Sequence, residues 1–170
     1  SAEAADALGR FADAIGVPVG ASFRCQDYLS NDHPCYVGDV GIGINPRLAE
    51  RVKTSDCLLV LGARLGEMTT SGYTLVTPPV AEQSLLHVYP DPGELGRVYR
   101  PDVAVCARPA AFVRQLAEAA GSRDGGAWPR EARPDYEAWQ VPLETPGEMN
   151  MENPVGHLRQ VFPEGATLTT

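Results

Sequence analysis

Apolar and polar positions divide this chain into a repeating order of helices and short buried strands. Residues 2–15, A-E-A-A-D-A-L-G-R-F-A-D-A-I, place Ala4, Leu8, Phe11 and Ile15 on one face of a helix. Glu3, Asp6, Arg10 and Asp13 fall mostly on the other face. Ser1 is the expected N-cap, and Gly16 with Pro18 ends the helix. Residues 17–22 read as a short strand. Asn45 followed by Pro46 predicts a helix start running to about Lys53. Cys57 to Leu61 is a continuous apolar run without alternation, the pattern of a parallel strand buried on both faces. Leu85 to Tyr89 and Val103 to Cys106 are further short strands. Pro109 to Ala120 is a helix with Phe112, Val113 and Leu116 inward. This alternation predicts an α/β fold: a doubly wound parallel sheet flanked by helices, of the Rossmann-like kind that binds FAD or NAD.

Residues 23–45 lack such a pattern and read as a loop rich in Asp, Asn, Gly and Pro. Residues 122–150 have linker composition, with a short helix expected at Tyr136–Trp139. Asn153-Pro154 opens a helix to about Val161, and G-A-T-L-T-T begins a strand. Helix plus strand is too little to form a core. Three regions are therefore expected: a nucleotide-binding-like domain over 1–121, a linker over 122–150, and the start of a further domain over 151–170. A doubly wound sheet normally opens on a strand, so the chain reads as cut from a longer one.

Composition narrows the function classes. With 170 residues and 44% apolar content, the chain can bury a core. A net charge of −8 and a single lysine, Lys53, argue against a nucleic-acid partner. No apolar run approaches a membrane span, and no leader pattern is present. The four cysteines, Cys25, Cys35, Cys57 and Cys106, form no C-x-x-C pair, which fits a reduced, cytoplasmic setting. Cys57 and Cys106 lie in apolar runs and are expected to be buried, while Cys25 and Cys35 could meet in space. His33, His87 and His157 share no spacing with a carboxylate or cysteine that would make a metal site or triad. No G-x-S-x-G context supports a hydrolase.

Candidate chemistry lies at strand ends. The run Cys57–Leu61 stops at Gly62, and Ala63, Arg64 and Gly66 follow. Backbone N–H groups and a cation are thus placed at a strand's carboxyl end, where nucleotides bind in open α/β sheets. Asp91 and Glu94 lie just past the next strand, where an acid can accept from a ribose hydroxyl or simply favour a helix start. Gly38, Gly41 and Gly43 permit tight turns or close approach to a ligand, although their spacing is not the dinucleotide fingerprint.

Four ordered pieces carry a family resemblance. They are Tyr36 to Gly41 (Y-V-G-D-V-G), Ser55 to Glu67 (S-D-C-L-L-V-L-G-A-R-L-G-E), His87 to Gly96 (H-V-Y-P-D-P-G-E-L-G) and Met151 to Thr170. Together they resemble the thiamine-diphosphate enzymes of the acetolactate synthase type. The second piece is the most specific. The resemblance implies a middle domain that binds FAD, an ADP-containing molecule or nothing, its first strand lying before Ser1. Gly38, Gly41, Gly62, Ala63 and Arg64 would line its cleft, with Asp91 at the adenosine end. Tyr89 stands where the family often has an acid, Cys106-Ala107 replaces a Gly-Asp pair, and Asp39-Val40 replaces a Met-His pair. Each change removes a nucleotide contact. The resemblance further implies a parent enzyme that uses thiamine diphosphate and Mg²⁺ on a 2-oxo acid and assembles as a homo-oligomer. That chemistry needs a glutamate from another domain and a G-D-G…N motif that these residues do not contain, so the piece alone should not turn over. Two other readings stay open: a structural spacer without ligand, and a free-standing nucleotide-binding module.

Overall fold

A computed structural model of the chain describes residues 2–121, 128–143, 146–147, 152–163 and 165–166. Contacts divide it into a first unit, Ser1–Tyr136, and a second, Glu137–Thr170.

The first unit is built from α1 (Ala2–Ile15), β1 (Val19–Ser22), β2 (Tyr36–Val40), α2 (Pro46–Thr54), β3 (Cys57–Leu61), β4 (Ser84–Tyr89), β5 (Val103–Cys106), α3 (Pro109–Ala120) and α4 (Trp128–Trp139), whose last turn falls in the second unit. Among the described residues every strand pairing is parallel: β1 with β2, and β3–β4–β5 in that order. Parallel neighbours require crossover connections, and α2 joins β2 of the first ladder to β3 of the second. The α/β class expected from the alternating pattern is therefore present, as parallel ladders flanked by helices.

Several elements differ from expectation in informative ways. The strand buried on both faces is β4, not β3. Leu85 and Val88 in β4 are fully buried, and His87 is 3% exposed. No residue of β3 is fully buried. The cause is pairing: β4 has a strand on each edge, whereas β3 pairs with β4 alone. A second strand, β2, occupies the expected loop. Its Y-V-G-D-V sequence carries Gly and Asp, both poor strand formers. Tyr36 and Val37 are nonetheless buried, and the ladder to β1 absorbs the irregularity as a register shift between Val19 and Ala21. In α1 the anticipated apolar face is only half-buried, and Ala7, Gly9 and Ala12 are the buried positions. Small side chains let α1 lie close against α3, its principal neighbour.

Local signals read correctly where capping sets them. The Asn45 side chain accepts from the Arg47 N–H at 3.0 Å, with Pro46 at the first helical position of α2. Ser1, the expected cap of α1, lies outside the described residues, as do 167–170 of the strand expected over 165–170, whose Gly165 and Ala166 form a turn rather than a strand.

Two apolar clusters share Val52 of α2. One centres on Leu65, Val76, Leu85 and Tyr99. The other centres on Val37, Leu48 and Ala132. Burying each large side chain is worth about 1.5–3 kcal/mol. Ala132 belongs to α4, which runs through residues expected to form a linker and is longer than the short helix expected at Tyr136–Trp139. Its attachment is polar as well. The Asp135 carboxylate accepts from Arg47 at 3.1 Å and from Arg51 at 2.8 Å, and the Asp135 carbonyl accepts from Asn45 at 3.1 Å. Arg133 donates to the carbonyls of Asn31, His33 and Tyr36 at 2.7–3.1 Å. The Tyr136 ring meets Tyr36 edge-on, with centroids 5.2 Å apart.

The second unit contains α5 (Glu152–Val161), on which Val155 and Val161 are exposed, as is Phe162 beyond it. No helix among the described residues is long and apolar enough to cross a membrane.

All four cysteines are free. Cys57 and Cys106, expected to be buried, are exposed, because they are the first residue of β3 and the last of β5. A strand terminus leaves the sheet's cover even when the run behind it is apolar.

Candidate functional site

The turn after β3 is held from three sides. Gly62 has φ +71°, a left-handed conformation, and its N–H donates to the Val88 carbonyl at 2.8 Å. A Cβ built on Gly62 would lie 2.5 Å from Cγ of Pro109. The Ala63 carbonyl accepts a 2.9 Å hydrogen bond from His87 Nε2, so the buried imidazole carries its proton on that nitrogen. Arg64 extends outward. Its Nε donates to the Tyr89 hydroxyl at 3.0 Å and lies 3.7 Å from the Glu94 carboxylate. The Tyr89 hydrogen bond, with the charges of Glu94 and Asp91, holds the guanidinium firmly protonated. The ion pair is solvent-exposed on the arginine side, so water screens it.

Asp91 accepts from the Gly93 N–H at 2.9 Å, closing a turn at the carboxyl end of β4. Gly62, Ala63, Arg64 and Asp91 therefore share one neighbourhood, in which Tyr89 and Glu94 occupy Arg64.

Gly38 and Gly41 lie elsewhere, at β2. Gly38 has φ +110°, and an added Cβ would meet the Tyr136 ring at 3.3 Å and Leu48 at 3.6 Å. Gly41 has φ +138°, and a Cβ there would lie 2.8 Å from the Met68 carbonyl oxygen. Each of these glycines admits a part of the chain itself. Beside Gly41 opens a cleft of about 400 Å³, lined by Ile42, Gly43, Met68, Ser71 and Gly72 among others. Nothing lies within 4 Å of where a Cβ would stand on Gly43 or Gly72, so both present bare backbone to open space. Ser71 donates across the cleft edge to the Gly41 carbonyl at 3.3 Å.

Two groups escaped the sequence reading. His87 braces the Ala63 carbonyl, a contact that no local pattern encodes because it depends on the β3–β4 pairing. Asp13, His33 and Cys35 converge, although they belong to α1 and to the loop before β2. The H-P-C triplet at 33–35 was the local trace of that meeting.

A fold of parallel ladders and flanking helices, with a glycine turn and an arginine at a strand's carboxyl end, defines a class that known proteins identify. The family model described as the thiamine pyrophosphate enzyme central domain matches residues 1–116, and the chain belongs to that family. Among curated relatives it is similar to a probable acetolactate synthase large subunit of Methanocaldococcus jannaschii, 26% identical over 102 residues, covering 60% of this chain and 17% of that protein. It is likewise similar to an acetolactate synthase of Mycobacterium avium, 25% identical over 116 residues, covering 68% of this chain and 18% of the relative. A 3D-(3,5/4)-trihydroxycyclohexane-1,2-dione hydrolase of Geobacillus thermodenitrificans is 27% identical over 167 residues, covering 95% of this chain and 25% of its own. The chain thus spans a quarter or less of the length of these relatives.

Proposed function

We propose that this chain serves as the central domain of a cytoplasmic thiamine-diphosphate-dependent enzyme of the acetolactate synthase type, and that its own role there is structural. Support for the parent activity comes from the family match and the acetolactate synthases among the relatives. In this proposal the parent acts on a small 2-oxo acid, assembles as a homo-oligomer and uses Mg²⁺ with its cofactor. Residues 1–121 form the domain, 122–150 link it onward and include α4, which packs against it, and 151–170 begin the next.

The residues present do not fit thiamine diphosphate: the sequence has no G-D-G motif to hold its diphosphate and metal. When bound in the parent, the cofactor supplies an electron sink for decarboxylation. This domain's part is to space and brace whatever holds it.

One observation carries the structural reading. The glycines that would admit a nucleotide are filled by the chain: Gly38 by Tyr136 and Leu48, Gly41 by Met68, Gly62 by Pro109. The arginine that would meet its phosphate or flavin is bonded to Tyr89. A second reading has specific support in the cleft beside Gly41, where Gly43 and Gly72 present open backbone that an ADP-type group or FAD could use. Thermal shift of the purified chain with FAD, ADP, coenzyme A and NAD separates the two, because a ligand that binds only the folded state raises its melting temperature. No shift supports the structural role. A shift with FAD or ADP overturns it, and loss of that shift in Arg64→Ala would put the ligand against Arg64. The parent activity is tested separately. A whole protein that consumed none of a panel of 2-oxo acids with thiamine diphosphate and Mg²⁺ would remove the enzymatic proposal.

A further inference from the structure

We propose that Asp13, His33 and Cys35 form a binding site for a zinc-class divalent cation, made by residues that line neither the Arg64 turn nor the cleft beside Gly41. His33 Nε2 lies 3.5 Å from Asp13 Oδ2, and Cys35 Sγ lies 3.8 Å from Asp13 Oδ1. One ligand atom from each residue falls within 4.8 Å of the other two. Zinc bound at its usual distances sets tetrahedral edges of about 3.4 Å between nitrogen and oxygen and about 3.6 Å between sulfur and oxygen. The two measured distances are close to those edges but end on different oxygens of Asp13, so the exposed carboxylate must turn to present one oxygen to both partners.

The donor set selects the ion. Thiolate and imidazole favour zinc over magnesium or calcium, which seek oxygen ligands. One thiolate and one carboxylate carry two negative charges, so a divalent ion leaves the cluster neutral. Three protein ligands leave a fourth tetrahedral position for water. Exposure is graded across the site: Cys35 is buried, His33 is half-buried, and the Asp13 side chain is 63% exposed. The open side therefore lies at Asp13, where an ion can enter.

The ligands are held before any ion arrives. The His33 ring rests against α1 at Gly9, where a Cβ would come within 3.2 Å of Nε2. Arg133 fixes the carbonyls of His33 and Tyr36, and the Cys35 carbonyl accepts from Val19 at 2.7 Å in the ladder. Without metal, Asp13 accepts from the thiol and lies 3.5 Å from His33 Nε2, while the Cys35 N–H donates to Nδ1 at 3.2 Å. Binding exchanges these contacts in a balanced way. The thiol proton leaves to solvent, the ring proton moves from Nε2 to Nδ1, and the Cys35 N–H gives up its bond to the ring.

Cobalt(II) is the probe, because its tetrahedral thiolate complexes absorb visibly. Titrating the reduced, metal-free chain should produce tetrahedral d–d bands and a thiolate-to-cobalt charge-transfer band, saturating at one ion per chain and erased by zinc. Cys35→Ser should abolish the charge-transfer band, Asp13→Asn should weaken cobalt binding at least tenfold, and Cys25→Ser should leave both unchanged. Absence of the bands in the unmodified chain overturns the proposal, as does their survival in Cys35→Ser. If circular dichroism shows that Cys35→Ser has not folded, the decision passes to Asp13→Asn and His33→Gln. Cobalt affinity within twofold of the unmodified chain in both would equally overturn it.

Discussion

Gly62 shows how much one absent side chain determines. Its left-handed φ and the approach of Pro109 each exclude a Cβ independently. Gly62→Ala should lower the unfolding free energy by about 2 kcal/mol or more in urea titration, the sum of backbone strain and overpacking. A loss below about 0.5 kcal/mol would mean that the turn relaxes freely. Tyr99 offers a test by pH. Its buried hydroxyl donates to the Val76 carbonyl at 3.0 Å, and burial raises its ionisation above the ordinary value of 10.0. A group raised on folding stabilises the native state fully below its unfolded pKa, and that contribution is lost as pH climbs through the folded one. Tyr99→Phe should cost about 1–2 kcal/mol at neutral pH by orphaning a carbonyl, and should flatten the decline in stability above pH 10. An unchanged alkaline slope would assign that decline to other groups. At this scale the sequence was legible in part. A glycine can be recognised as permitting close approach, but not which atom approaches. Gly62 admits a proline from a helix 47 positions later, and no local pattern encodes that partner.

Elements were legible where their signal is local. Asn45-Pro46 announced α2, and Pro109 announced α3, because capping and proline geometry act over a single turn. Burial was less legible, since it depends on neighbours: the apolar run of β3 looks more interior than β4, yet β4 has the two flanking strands. The helix α4 is the clearest instance of tertiary override. Its composition suggests a linker, and Pro134 lies inside it, but Ala132, Arg133, Asp135 and Tyr136 all engage the first unit. Asp135→Ala removes the acceptor of Arg47 and Arg51 together. It should increase amide exchange across 128–136 at least tenfold while β4 keeps its protection. Unaltered exchange in the helix would show that its apolar contacts suffice.

For the whole molecule, the boundary of the first unit has a measurable consequence. A chain ended after Tyr136 should melt close to the intact protein's first transition. A chain ended after Gly121 loses the packing of Ala132 and Tyr136 and the Arg133 and Asp135 bonds, and should be destabilised by about 3 kcal/mol or more. Equal melting temperatures for the two would place α4 outside the cooperative unit. The α/β class was readable from alternation alone, whereas the two separate ladders and the role of α4 were not, because both arise from pairings far apart in sequence.

The pairing of α1 with α3 also sets a clock. During synthesis α1 emerges about 100 residues before the helix that covers it, and ribosomes add about 5–20 residues each second. For roughly 5–20 s the face of α1 that α3 covers waits for that helix. That interval falls when nascent chains are most open to chaperone capture or to one another, and a slower stretch of translation before Pro109 would prolong it.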